Sequence, residues 1–290
     1  MKLDDSRRSD NVEDDRGAGG GIRGIHVGAL GTVVILVVGY FMGVSPSTLL
    51  GLLNGGDGQS ATAPAAGTPV TGASNDPQVD FVRAILGETE DVWSAYFKNL
   101  GKTYVPPKLV LFSNAVESAC GYASTAAGPF YCPGDQKVYI DLAFYRQLAT
   151  QFGAPGEFAR AYVIAHEVGH HVQNLLGITD KASQEEQQAV GRTGSNKVSV
   201  LVELQADCFA GVWAEQANQA RKILEPGDLE QGLQAASSVG DDTLQKREQG
   251  TVVPDSFTHG TSAQRVRWFR RGFESGKIDD CNTFGAGASL

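Results

Sequence analysis

Two pairs of side chains, each spaced four residues apart, constrain this chain more than anything else in it. From Glu157 to about Leu176, after a Pro155-Gly156 start, apolar residues recur at helical spacing, and the segment carries AYVIAHEVGHHVQ. On a helix His166 and His170 share one face and can present two imidazole nitrogens to one metal ion, with Glu167 beside them in reach of a metal-bound water. A second helical segment, KVSVLVELQADCFAGVW from 197 to 213, places Glu203 and Asp207 four apart among Leu201, Val202, Leu204, Ala206 and Phe209. Burying an unpaired carboxylate in such surroundings is costly, so a cation or a histidine must meet these acids. The chain is therefore expected to bring the two helices together around a metal.

Two histidines and one glutamate, with a fourth position left for water, make the catalytic rather than the closed structural zinc pattern. His166, His170 and Glu203 are the expected ligands of one Zn2+ per chain, and Glu167 is the expected general base. Asp207 is expected to accept the second ring N–H of a ligand histidine, fixing its tautomer. His171 points about 100° away around the helix and cannot share the metal, so packing or solvent is its expected role.

HEVGHHVQ with ELQADCFAGVW, the amino-terminal RRSDNVEDDRG ahead of one apolar run, and GPFYCPGDQKVYIDL resemble the bacterial neutral zinc metallopeptidase family over nearly the whole chain. More distantly, HExxH followed by ExxAD is similar to the gluzincin peptidases, thermolysin and the CAAX prenyl proteases among them. That resemblance implies that Glu203 is the third zinc ligand and that Asp207 orients His166. It also implies a substrate-binding role for a histidine in the turn before a later, Arg-containing helix. Here that is His259, ahead of a segment with Arg265, Arg267, Arg270 and Arg271 that Thr261 or Ser262 is placed to cap. His259 is expected to stabilise the oxyanion, although Gly260 stands where the prenyl proteases have proline. The stretch Gln173 to Asn196 is an insertion relative to thermolysin, with no role assigned.

Ahead of this domain, Gly24 to Gly56 holds no Asp, Glu, Lys or Arg, and its apolar heart from Gly28 to Val44 is long enough to span a bilayer. Cleavage near Ala61–Ala63 as a signal peptide is the competing reading. Lys2, Arg7, Arg8, Arg16 and Arg23 precede the run and the next base is Arg83, so the amino terminus is expected in the cytoplasm and the domain outside it. The expected organisation is a polar tail at 1–24, an anchor at 25–53, a flexible Gly/Ser/Ala/Thr/Pro-rich linker at 54–78, and a metallopeptidase domain at 79–290. The net charge of -9, from 33 acids against 24 bases, argues against nucleic acid as a partner.

Within the domain, Val79 to Leu100 reads as an amphipathic helix, and 108–112 and 137–142 read as strands. Alternation of Lys137, Tyr139 and Asp141 with Val138, Ile140 and Leu142 suggests a half-buried edge strand over the metal, where an extended peptide adds to the sheet. Four cysteines allow three pairings; Cys120 with Cys132 is favoured, leaving Cys208 with Cys281. The expected fold is α+β, a mostly helical zincin-like domain with a small sheet behind one transmembrane helix. The expected function is membrane-anchored, zinc-dependent hydrolysis of a peptide or protein substrate. The alternatives are a catalytically silent zinc-containing binding module of the cell envelope and a hydrolase of a non-peptide amide. The sequence leaves the oligomeric state open.

Overall fold

A computed structural model describes residues 1–17, 68–70 and 74–285. The expected span, Gly28 to Val44, and most of the linker lie outside these residues. Among the described residues no helix is long and apolar enough to cross a membrane.

The elements follow the sequence patterns closely where the apolar period is strong. Helix α1 runs Pro77–Asn99, capped by Asp76, whose side chain accepts from the Gln78 backbone N–H. Strands β3 (Lys108–Phe112) and β7 (Lys137–Asp141) pair in parallel, Leu109 opposite Val138 and Leu111 opposite Ile140. Between them lie the hairpin β4 (Ala115–Ser118) and β5 (Gly121–Ser124), then β6 (Phe130–Cys132). Helices α2 (Ala143–Thr150), α3 (Glu157–Leu175), α4 (Ile178–Gln188) and α5 (Gly191–Arg221) follow. Helices α6 (Asp228–Ser238), α7 (Asp241–Gln249) and α8 (Ser262–Ser275) complete the domain. The insertion after Gln173 is thus the end of α3, α4 and the first turns of α5, which reaches 31 residues.

With β1 (Val12–Asp14) and β2 (Thr68–Pro69), the five-stranded sheet has the order β2-β1-β3-β7-β6. β7 is therefore internal, hydrogen-bonded to β3 on one side and antiparallel to β6 on the other. This corrects the edge-strand expectation for 137–142. Alternation along β7 is weak evidence of an edge because Tyr139 and Asp141, read as its polar face, are themselves buried. The edge is β6.

The largest correction concerns the amino terminus. Residues Met1–Arg16 belong to the same compact unit as Gly67–Leu290, not to a free tail ahead of a domain that begins at 79. β1 (Val12–Asp14) lies between β2 (Thr68–Pro69) and β3, with Val12 fully buried. Three of the five bases that sequence reads as an orientation signal are bound to this unit: Arg7 to Glu90 at 2.7 Å, Arg8 to Asp80 at 2.7 Å, and Arg16 to Asp76 at 2.8 Å. A Cβ on Gly87 would stand 2.3 Å from the Arg7 carbonyl oxygen, so α1 needs glycine there for the segment to lie against it. Asp14 and Thr68 are register partners. The two flanks of the intervening stretch therefore lie side by side.

The larger of two apolar clusters joins the helices to the sheet, and the smaller, of Val110, Phe112, Cys132 and Tyr139, lies on the strands. Phe158 stacks on Trp213 with ring centroids 6.1 Å apart, and Tyr162 meets Phe269 edge-on at 5.5 Å, so α3, α5 and α8 share an aromatic seam. Disulfides link Cys120 to Cys132 and Cys208 to Cys281; the second ties α5 to the short 3-10 turn Ile278–Cys281.

Candidate metal centre

Helix α3 starts at Gly156, which offers no side-chain cap; the Phe158 N–H instead donates to Gln231 Oε1 of α6 at 3.1 Å. The fixed α3 then presents His166 and His170 to α5. His166 Nε2 stands 3.1 Å from Glu203 Oε2 and 3.2 Å from His170 Nε2, and His170 Nε2 stands 3.3 Å from Glu203 Oε1. Ligands held about 2.0–2.1 Å from a tetrahedral zinc are about 3.4 Å from one another. The three donors are close to that spacing, and their ligand atoms all lie within 4.8 Å of one another. Nitrogen and carboxylate donors in this number suit zinc with one position left open.

The electrostatics call for a cation. Glu203 is held well below the usual carboxylate range: burial pushes it up, and His170 and His166 outweigh that. His166 is raised to about 10, burial being outweighed by Asp207 and Glu203. A site that draws a proton onto a buried imidazole this strongly is anionic, a setting that suits a cation.

Asp207 is fully buried and accepts from His166 Nδ1 at 3.0 Å, which leaves Nε2 as the ligand atom. Its charge is met by Arg265 of α8: Nε donates to Oδ2 at 2.8 Å and Nη2 to Oδ1 at 3.0 Å. Tyr162 Oη donates to the same carboxylate, and Arg265 Nη2 reaches the tyrosine oxygen at 3.2 Å. Sequence reasoning named Arg265 only as one of four bases in its segment and did not pair either residue with Asp207. The available signal was an arginine at the buried position of the amphipathic α8, which a capping box between Thr261 and Gln264 starts at a defined residue.

Glu167 is 7% exposed and opens on the cleft with the ligands. Burial pushes its carboxyl up, with Glu203 adding to the rise, while His166 and His170 pull it down. His171 takes the packing role: Nε2–H donates to the Val105 carbonyl at 2.7 Å, so Nδ1 accepts from Tyr131 Oη at 3.0 Å. Burial holds this histidine neutral, lowered to about 4.

His259 lines the same cleft of about 660 Å³. Asp241 of α7 builds its turn, Oδ2 accepting from the backbone N–H groups of Thr258, His259 and Gly260 at 2.8, 2.6 and 3.0 Å. Oδ1 faces His259 Nδ1 at 3.2 Å, and that hydrogen bond raises the imidazole pKa. Gly260 has φ +88°, which proline cannot adopt, so the departure from the prenyl protease pattern is a backbone requirement of this turn. Asp241 was not legible beforehand as a partner of His259.

A family model described as putative neutral zinc metallopeptidase matches residues 1–284. The chain belongs to that family. It is 47% identical over 294 residues to an uncharacterized protein, YpfJ, of Escherichia coli, covering 98% of this chain and 99% of that one. It is 44% identical over 216 residues to uncharacterized proteins of Mycobacterium bovis, Mb2605, and of Mycobacterium tuberculosis, Rv2575, covering 71% of this chain and 72% of each. No solved structure matches the chain.

Proposed function

We propose that this member of the family is a zinc-dependent endopeptidase, with His166, His170 and Glu203 as ligands and Glu167 as general base. The observation that carries the reading is the convergence of three metal-ligand atoms beside a buried carboxyl in one open cleft. A bound Zn2+ would supply a Lewis acid that acidifies water and polarises the scissile carbonyl. Glu167, its affinity for a proton increased by burial, takes the proton of the attacking water and passes it to the leaving amine. His259 gives its Nδ1–H to Asp241, whose carboxylate favours the imidazolium; in that charged form Nε2–H donates to the oxygen on which negative charge develops. Asp207, Arg265 and Tyr162 hold His166 in one tautomer and orientation. The free edge of β6 offers backbone groups to an extended peptide, and Phe144, Phe152 and Leu244 give the cleft an apolar wall for one of its side chains.

For the charge-free stretch 24–56 the proposal is membrane association with both flanks on one side, a placement that the pairing of Asp14 with Thr68 supports.

The test is cleavage of a peptide library by the full chain as wild type, with chelator, with chelator followed by zinc, and as Glu167→Gln. Activity that is lost to chelator, restored by zinc and absent in Glu167→Gln is the expected outcome. Retained zinc with no cleavage in any sample would make the chain a binding module.

A further inference from the structure

Asp207 accounts for His166, and the other ligand histidine has a separate arrangement. His170 Nδ1 stands 2.9 Å from Gln173 Oε1. Gln173 Nε2 donates to the Val202 carbonyl at 2.8 Å and to Gln205 Oε1 at 3.0 Å. Gln205 Nε2 donates in turn to the Cys281 carbonyl at 2.9 Å. Gln173 is fully buried and Gln205 is 5% exposed, so water does not substitute along this path.

The polarity of this chain follows from its two backbone ends. A carbonyl oxygen only accepts, so Val202 fixes which end of the Gln173 amide is nitrogen, and Cys281 does the same for Gln205. With both amides oriented, Gln173 Oε1 must face His170, and the only complementary state of Nδ1 is N–H. The lone pair then stays on Nε2, the atom that faces His166 Nε2 and Glu203. The final acceptor is itself anchored. Cys281 is disulfide-bonded to Cys208 on α5, and two residues on Thr283 Oγ1 donates to the Leu201 carbonyl at 2.7 Å.

We propose that Gln173 and Gln205 are positioning residues of the metal centre, a buried amide relay that fixes the tautomer and ring orientation of His170 from the carboxy-terminal turn. The proposal rests on the zinc reading above and adds to it a dependence of metal affinity on residues that touch neither metal nor substrate. Removing a hydrogen-bond partner behind a ligand histidine weakens metal binding by about 10–100-fold. Gln173→Met keeps the side-chain volume and deletes the acceptor; Gln205→Met leaves Gln173 in place but removes the acceptor that helps fix its amide.

The experiment measures the zinc dissociation constant of the full chain by competition with a chromophoric chelator, alongside urea unfolding of the metal-free protein. Zinc affinity is expected to fall about 10–100-fold in Gln173→Met and by a smaller factor in Gln205→Met. Gln173→Glu separates positioning from simple support. It keeps an acceptor toward His170 but places a carboxylate against the Val202 carbonyl, so metal-free stability falls while zinc affinity stays at or above that of wild type. Zinc affinities of both methionine variants within threefold of wild type would overturn the relay, as would a Gln173→Glu loss as large as that of Gln173→Met. If Gln173→Met does not fold, Gln205→Met and Gln173→Glu decide the question. Absence of zinc binding by the wild-type chain would instead overturn the metal-centre reading itself.

Discussion

Replacing Arg265 by methionine isolates the electrostatics that hold the metal centre together. The guanidinium is 4% exposed and Asp207 fully buried, and two hydrogen bonds of 2.8 and 3.0 Å join them. Arg265→Met leaves the carboxylate with Tyr162 Oη and His166 Nδ1 as donors but without the guanidinium charge. Removing one partner of such a pair costs about 3–5 kcal/mol, against a total stability of about 5–15 kcal/mol for a domain. In a unit of this size that corresponds to a fall of roughly 6–20 °C in Tm. The assay is urea unfolding of the full chain with a chelator present, so that metal binding does not contribute. The double variant Arg265→Met/Asp207→Leu removes both charges and should recover much of the loss, because an apolar pair of similar volume avoids the desolvation cost. Its zinc affinity should nevertheless fall about 10–100-fold, because His166 loses its Nδ1 acceptor. A loss under about 1 kcal/mol in the single variant, or strictly additive losses in the double, would refute the argument.

Glu203→Ala should lose bound zinc while Glu167→Gln retains about one per chain, as read by metal analysis of the dialysed protein, because only the first removes a ligand. His259→Ala should lower kcat by on the order of a hundredfold with zinc content and unfolding unchanged; an unaltered kcat would remove it from the chemistry. His171 is lowered to about 4 in the fold, against an ordinary value near 6.5. Between those values the unfolded chain takes a proton that the folded one refuses, so stability is lost as pH falls through the window, by at most about 3 kcal/mol. His171→Gln should flatten that part of the pH profile of urea unfolding. Finally, single cysteines introduced at Asp4 and at Lys222 should react from the same side of a sealed membrane; labelling from opposite sides would contradict the pairing of β1 with β2 and β3.

The sequence alone determined what depends on local period and on chemistry within one helix. HEVGHHVQ at helical spacing settles that His166 and His170 share a face, and carboxylates in an apolar run require partners, so the candidate ligand set was legible without coordinates. The Cys120–Cys132 pair, with a sequence separation of 12, and the start of α8 at Thr261 or Ser262 belong to the same class, because short-range geometry governs them, whereas Cys208–Cys281 followed only as the remaining pair. Tertiary structure decided what depends on which segments meet. Residues 1–16 look like a charged tail because their partners, Glu90, Asp80 and Asp76, lie at least 60 residues away and three residues of β1 are too few to show a strand pattern. Whether β7 lies at an edge is set by β6, whose Phe130–Cys132 is equally short. Arg265, Asp241, Gln173 and Gln205 are polar side chains of ordinary appearance. Burial against one particular partner makes each of them matter, and burial is a property of the assembled core, not of any window of sequence.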